Sequence, residues 1–355
     1  MKNATIERQN NFDLLRILST FAVVLIHINA VISSRYHLNF LAGFNIPTLI
    51  NTVTRFCVPC FVMISGAFIL NNKENANFIK FYKKSFYKLG IPLIIFTVTE
   101  LAILSIYLII THGNLLEPLT RLVTGNVNPY WFMFMLIGLY FLAPFIIRIK
   151  EMISNKCYCT GSIIWMVFAC ISQGTSTYKV SYSFGVVFSF LGFFLIGNVV
   201  YENLRNIKKM YAILSIVVSF FVFIFTYLVR VFTGFWLYTV DPYINWFSPF
   251  VVIASILLFI GFANIKISIN LSKLSSTTFL IYLFHTRVYL VLLGGIEYII
   301  PNTNKPMVLI IILTLLTFII SLILSIIYLR LWNHFEKKYL WKERWQNKSL
   351  KNKLI

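Results

Sequence analysis

Long apolar stretches alternate with short polar ones along the chain, and ten of the stretches approach the 17 to 25 residues that a helix needs to cross about 30 Å of hydrocarbon. They lie near 14–34, 47–70, 89–111, 130–149, 161–175, 183–201, 211–232, 247–265, 277–300 and 307–331. The fifth is short and ends at Gln173-Gly174. Connections are brief, and no Gly/Ser-rich or Pro-rich linker divides the chain. The pattern predicts an all-α polytopic membrane bundle of about ten transmembrane helices. Residues 1–355 read as a single membrane domain with a basic tail from about 332 to 355 and no appended soluble module. Met1 to Asn11 is polar, and no small-residue cleavage site follows the first apolar run, so that run reads as a permanent anchor.

Composition agrees. A soluble domain carries about 25% charged residues, whereas this chain has 12%, with 59% hydrophobic residues. Its 31 Lys and Arg against 11 Asp and Glu give a net charge of +20, a balance that in a soluble protein points to nucleic acid. The distribution of those charges points elsewhere. With both termini in the cytoplasm, 23 basic residues fall on the cytoplasmic side and only Arg35, Arg121, Lys179 and Lys305 on the other. That is the positive-inside pattern, so the charge reports topology and calls for no nucleic-acid partner. The chain is expected in the cytoplasmic (inner) membrane, crossing it many times.

The five cysteines give no disulfide framework. Cys57-x-x-Cys60 and Cys157-x-Cys159 are expected at opposite faces, which excludes a shared metal site. Small apolar filler accounts for them.

A charge at the centre of a membrane helix costs about 2.5–3.5 kcal/mol on insertion scales, so the ionisable residues within spans are the candidates for chemistry. They are Asp13, Arg16, His27, Arg55, Glu100, Arg230, His285, Arg287 and Glu297. Glu297 and Arg230 read as structural, with Arg230 snorkelling to the outer surface. Asp13 and Arg16 have the spacing of a helical pair. Arg16 and His27 stand on one helix face about 16 Å apart. Arg55, entering from the outer end of the second span, is expected at the depth of His27. Further along that span, Ser65-Gly66 sets a hydroxyl beside a residue that permits close approach of a ligand or a helix. Arg287 is a candidate partner for Glu100. His285 is expected lower than His27, lining a channel or making a buried hydrogen bond. Trp131, Trp236, Tyr238, Tyr243 and Trp246 gather near the outer interface, either as an aromatic belt or as a platform for sugar rings. The loop from Thr233 to Trp246, with Asp241, is the candidate acceptor contact.

These residues carry a resemblance. Arg8 with Asp13-Leu14-Leu15-Arg16 and then His27 resembles the opening signature of the acyltransferase 3 family of integral membrane acyltransferases, which includes bacterial cell-envelope O-acetyltransferases. RFCVPCFVMISGAFIL (55–70), KKSFYKLGIPLIIF (83–96), YWFMFMLIGLYFLAPFI (130–146) and SSTTFLIYLFHTRV (275–288) resemble its later motifs in order. Glu100 belongs to none of them. The resemblance implies an enzyme that moves an acyl group, most often acetyl, from cytoplasmic acyl-CoA to a hydroxyl at the outer face, with acetyl-CoA as co-substrate and no bound cofactor or metal. It implies acyl-CoA contacts from Arg8, Asp13, Arg16, Ser65, Tyr282 and His285, while the outer aromatic residues and loop supply the candidate acceptor contacts, Trp131, Trp236 and Asp241. His27 is then general base or transient acyl carrier, with Arg55 steadying the oxyanion. The implied acceptor is a cell-envelope glycan such as O-antigen, capsule or exopolysaccharide, free or lipid-linked. Two alternatives are a non-catalytic exopolysaccharide export or assembly protein and a lipid acyltransferase.

Overall fold

The computed structural model describes residues 9–36, 46–110, 130–175, 184–233, 245–299 and 305–335. Among them there is no strand, and each of the ten expected spans coincides with a helical rod. The first is α1, Asn10–Arg35. The second is broken into α2, Ile46–Val53, a 3-10 turn over Thr54–Phe56, and α3, Cys57–Ile69. The third joins α4, Phe78–Ser85, through a π turn at Phe86–Gly90 to α5, Ile91–Ile110. Then come α6 (Trp131–Met152), α7 (Asn155–Thr175), α8 (Phe184–Asn203), α9 (Lys209–Thr233), α10 (Pro249–Asn264), α11 (Ser272–Ile299) and α12 (Pro306–Phe335).

Eight of these rods are long and apolar enough to cross a membrane; α7 is not among them, and α10, with 16 residues, is a shorter apolar rod. Several rods run past their apolar stretch. α1 starts at Asn10 rather than near 14, and α7 at Asn155 rather than near 161. Beyond the hydrocarbon a helix can continue through polar residues, because its backbone bonds are internal whatever side chains it carries, so hydropathy marks the hydrocarbon-facing part of a rod and not its full length.

Alternating direction brings the starts of α1 and α11 and the ends of α8 and α10 to one end of the bundle. Asn11 donates to the Phe262 carbonyl at 2.8 Å, and Asn264 donates to the Leu204 carbonyl at 2.9 Å. This end also carries Lys150, held by Glu202 at 2.5 Å and Asn198 at 2.8 Å. It is called the basic end below, and the opposite one, with Trp131 and Trp246, the aromatic end.

The tightest packing is between α3 and α8. A Cβ on Gly66 would lie 1.8 Å from the Phe194 carbonyl oxygen, and one on Gly197 would lie 2.2 Å from that of Met63. Each helix therefore lays its backbone against the other's glycine, as small residues allow between membrane helices. Gly66 of the Ser65-Gly66 pair is thus a packing residue. Around this seam lie Met63, Met133, Phe193 and Phe194, all with no exposure. Outward faces are apolar too, with Ile103, Phe221 and Ile319 among the exposed residues, as suits a surface facing hydrocarbon rather than water.

Two intramembrane arginines have partners that fix the bundle. Arg287 on α11 forks onto Glu100 on α5, with Nε 2.5 Å from Oε2 and Nη2 against Oε1. Arg230 does not snorkel as expected. It is 5% exposed, and its Nη1 donates to Thr52 Oγ1 at 2.8 Å and to the Thr48 carbonyl at 3.3 Å. The second rod explains the difference, because α2 presents the Thr48 carbonyl and the Thr52 hydroxyl to Arg230 inside the bundle. The Glu297 side chain lies outside the described residues.

Two tests follow from this packing. Gly66→Ala should destabilise the folded protein by about 1–3 kcal/mol or more, the range for overpacked cores. Gly161→Ala, where a Cβ meets nothing within 4 Å, should leave unfolding in detergent unchanged. Glu100→Gln and Arg287→Gln should each lower the unfolding midpoint, and the swap Glu100→Arg with Arg287→Glu should recover most of the loss. A swap no better than the single changes would show that the pair carries no net attraction.

Candidate active site

Arg55 sits where the second rod breaks, and the sequence supplies the reason. Pro59 has no N–H to return to the Arg55 carbonyl four residues earlier, and the chain tightens into the 3-10 turn at Thr54–Phe56. The Arg55 side chain is held from the turn before it. Its Nε and Nη2 donate to Asn51 Oδ1 at 3.1 and 2.7 Å. Its guanidinium carbon lies 5.5 Å from the Trp246 ring centroid, within the range of a cation–π contact.

Arg55 shares a cavity of about 200 Å³ with His27 of α1, Phe61 of α3, Trp131 and Phe132 of α6, Tyr282 of α11 and Trp246. Trp131 and Trp246 lie 5.0 Å apart between ring centroids and form one wall. Val23, Ala30 and Val58 make the remainder largely apolar. The structure thus gathers His27, Arg55, Trp131 and Tyr282 from four separate segments.

His285 stands behind His27, with ring centroids 5.2 Å apart and 1% exposure. Its Nδ1 lies 2.5 Å from the Tyr282 carbonyl. A carbonyl only accepts, so Nδ1 carries the proton and Nε2 is left to accept from the Thr286 hydroxyl at 3.3 Å. His285 is therefore a supporting ring beside the cavity wall.

At the basic end, Asp13 has no exposure. Its Oδ1 accepts from Arg16 Nη1 at 3.0 Å and from Ser275 Oγ at 2.6 Å. The Arg16 side chain stays 29% exposed, with its guanidinium carbon 5.2 Å from the Phe68 ring centroid. Tyr140 reaches Ser65 close by. Asp13 thus positions a cation and is itself inaccessible, while Arg16 is open to the basic end. Arg16 and His27 share a helix face about 16 Å apart, so one helix links the two regions.

Arg8, Trp236, Tyr238, Asp241 and Tyr243 lie outside the described residues. Sequence reasoning placed Trp246 among the outer aromatic residues but did not single out Asn51, Ser275 or Phe68 as part of this arrangement. Asn51 had a usable signal, four residues before Arg55 on the same helix face. Ser275 had none beyond its place in a motif, since its partner lies 262 positions away in sequence.

Searches of the curated proteins and of the solved structures found no match. A family model described as an acyltransferase domain matches residues 9–326, which takes in both the cavity and the Asp13–Arg16 pair. On that match across nearly the whole chain, this multi-pass membrane protein belongs to the acyltransferase 3 family and is an acyltransferase.

Proposed function

We propose that the protein transfers an acyl group, most simply acetyl, from an acyl-CoA entering at the basic end to a hydroxyl of a cell-envelope glycan at the aromatic end. The observation that carries this reading is His27, half-buried in a cavity shared with Arg55 and two tryptophans and aligned along one helix with Arg16. The split of 23 basic residues to 4 supports a cytoplasmic basic end, where CoA is found, and a location in the cell membrane.

The chemistry follows from the groups present. The Arg16 guanidinium offers a charge-assisted contact to a CoA phosphate, and the pantetheine arm runs along the α1 face toward His27. The neutral imidazole takes the proton from the acceptor hydroxyl as its oxygen bonds to the thioester carbon. Negative charge then grows on the carbonyl oxygen, where Arg55, held by Asn51, stabilises it in an apolar setting. Collapse breaks the carbon–sulfur bond, and the imidazolium returns its proton to the departing CoA sulfur. Trp131 and Trp246 offer flat apolar faces of the kind on which a pyranose stacks.

With purified protein, acetyl-CoA and envelope glycan from the producing cell, His27→Gln should lower kcat by about 10²–10⁴-fold, and Arg55→Gln by about 10²–10³-fold. Both should leave CoA binding close to wild type. Unchanged acetylation by His27→Gln at equal protein level would refute the mechanism.

A further inference from the structure

A second cation at the basic end is built into the same aromatic cluster as Arg16. Tyr201, in the last turn of α8, packs against Phe12 and Phe68 with ring centroids 5.9 and 5.6 Å away. Phe68 is also the ring on which the Arg16 guanidinium rests. Arg205 folds back over Tyr201, its guanidinium carbon 4.9 Å from the ring and its Nη1 donating to the hydroxyl at 2.9 Å. The Gln9 amide oxygen, turned toward it, accepts from Nη1 at 3.2 Å and Nη2 at 2.5 Å. Asn206, at φ 76, turns the chain just beyond, in a region that asparagine tolerates better than most residues.

Arg205 is exposed, yet directed bonds to neutral acceptors hold it, and among the described residues no carboxylate lies within ion-pair distance of it. A merely solvated arginine would not need such fixing. A planar fork held in place with its charge uncompensated is suited to a phosphate. Arg16, by contrast, is less exposed and shares its charge with Asp13. The two guanidiniums therefore differ in depth and in residual charge.

We propose that Arg205 binds the outer 3′-phosphate of the acyl-CoA donor, while Arg16 faces the diphosphate that leads into the pantetheine arm. This rests on the donor reading given above. The 3′-phosphate is a monoester carrying close to two negative charges, and it is the phosphate of CoA farthest from the thioester, which matches the more exposed and less neutralised cation. A lipid headgroup phosphate shares part of this chemistry, and the experiment separates the two.

The full chain is placed in nanodiscs of phosphatidylcholine, with and without phosphatidylglycerol, and titrated calorimetrically with CoA and with 3′-dephospho-CoA. Wild type should bind CoA about tenfold more tightly than dephospho-CoA, the worth of one hydrogen-bonded charge contact. Arg205→Gln should erase that preference without changing the affinity for dephospho-CoA, and Arg205→Lys should restore part of it. Retention of the full preference by Arg205→Gln overturns the assignment. So does equal loss for both ligands, which marks a disturbed mouth, and so does a change seen only in the response to phosphatidylglycerol, which gives the residue to lipid. If wild type binds neither nucleotide, the donor reading itself fails and the assignment falls with it.

Discussion

One buried carboxylate organises the two regions on which the proposed chemistry depends. An isolated charge in a low-dielectric interior is strongly unfavourable unless paired and hydrogen-bonded, and Asp13 meets both conditions through Arg16 and Ser275. The first contact holds the Arg16 guanidinium at the mouth. The second ties α1 to α11 and sets their register. Counting up from this tie, His27 is fourteen residues along α1 and His285 ten along α11, about 21 and 15 Å of axis. That offset lets the two rings meet, with His285 supporting His27 from below and behind. The positions of the cation and of the imidazole therefore share one cause.

The opposite wall of the cavity depends on a helix that is broken and then braced. Pro59 removes a backbone bond, and the 3-10 turn brings Arg55 into the space facing α1. Asn51 fixes that guanidinium from the half-helix before the break, and Arg230 holds the same half-helix by Thr48 and Thr52. Below the break, the reciprocal contacts of Gly66 and Gly197 lock α3 to α8. Each polar side chain in this chain of support is satisfied by another, which is what allows charged groups to persist at that depth.

The bundle was legible in the sequence because hydrocarbon imposes a length on every apolar run, and that length survives in the primary pattern. The Asp13–Arg16 pair and the shared face of Arg16 and His27 were legible because helical spacing is local. The Arg287–Glu100 pair was legible only as a candidate, from the comparable depth of two charges in the membrane. Arg230 was misread, since its acceptors on α2 lie 182 and 178 positions away in sequence, where no hydropathy window registers them. The Tyr201–Arg205 fold-back, four residues apart, had a local spacing signal, but Ser275 and Phe68 were invisible for the same reason as the acceptors of Arg230. Their partners are remote in sequence, and apolar periodicity says nothing about which faces of two rods meet.

In the proposed reaction an acyl-CoA threads from the basic end along α1 and delivers its acyl carbon beside His27. Bromoacetyl-CoA tests this directly, because a nucleophile at the acyl position displaces bromide and keeps a permanent mark. After reaction of the purified protein and peptide mass mapping, the His27 imidazole should be alkylated in a way that excess CoA suppresses and that bromoacetamide, lacking the CoA portion, does not reproduce. Labelling confined to residues outside the cavity, or labelling of His27 that CoA fails to suppress, would contradict it.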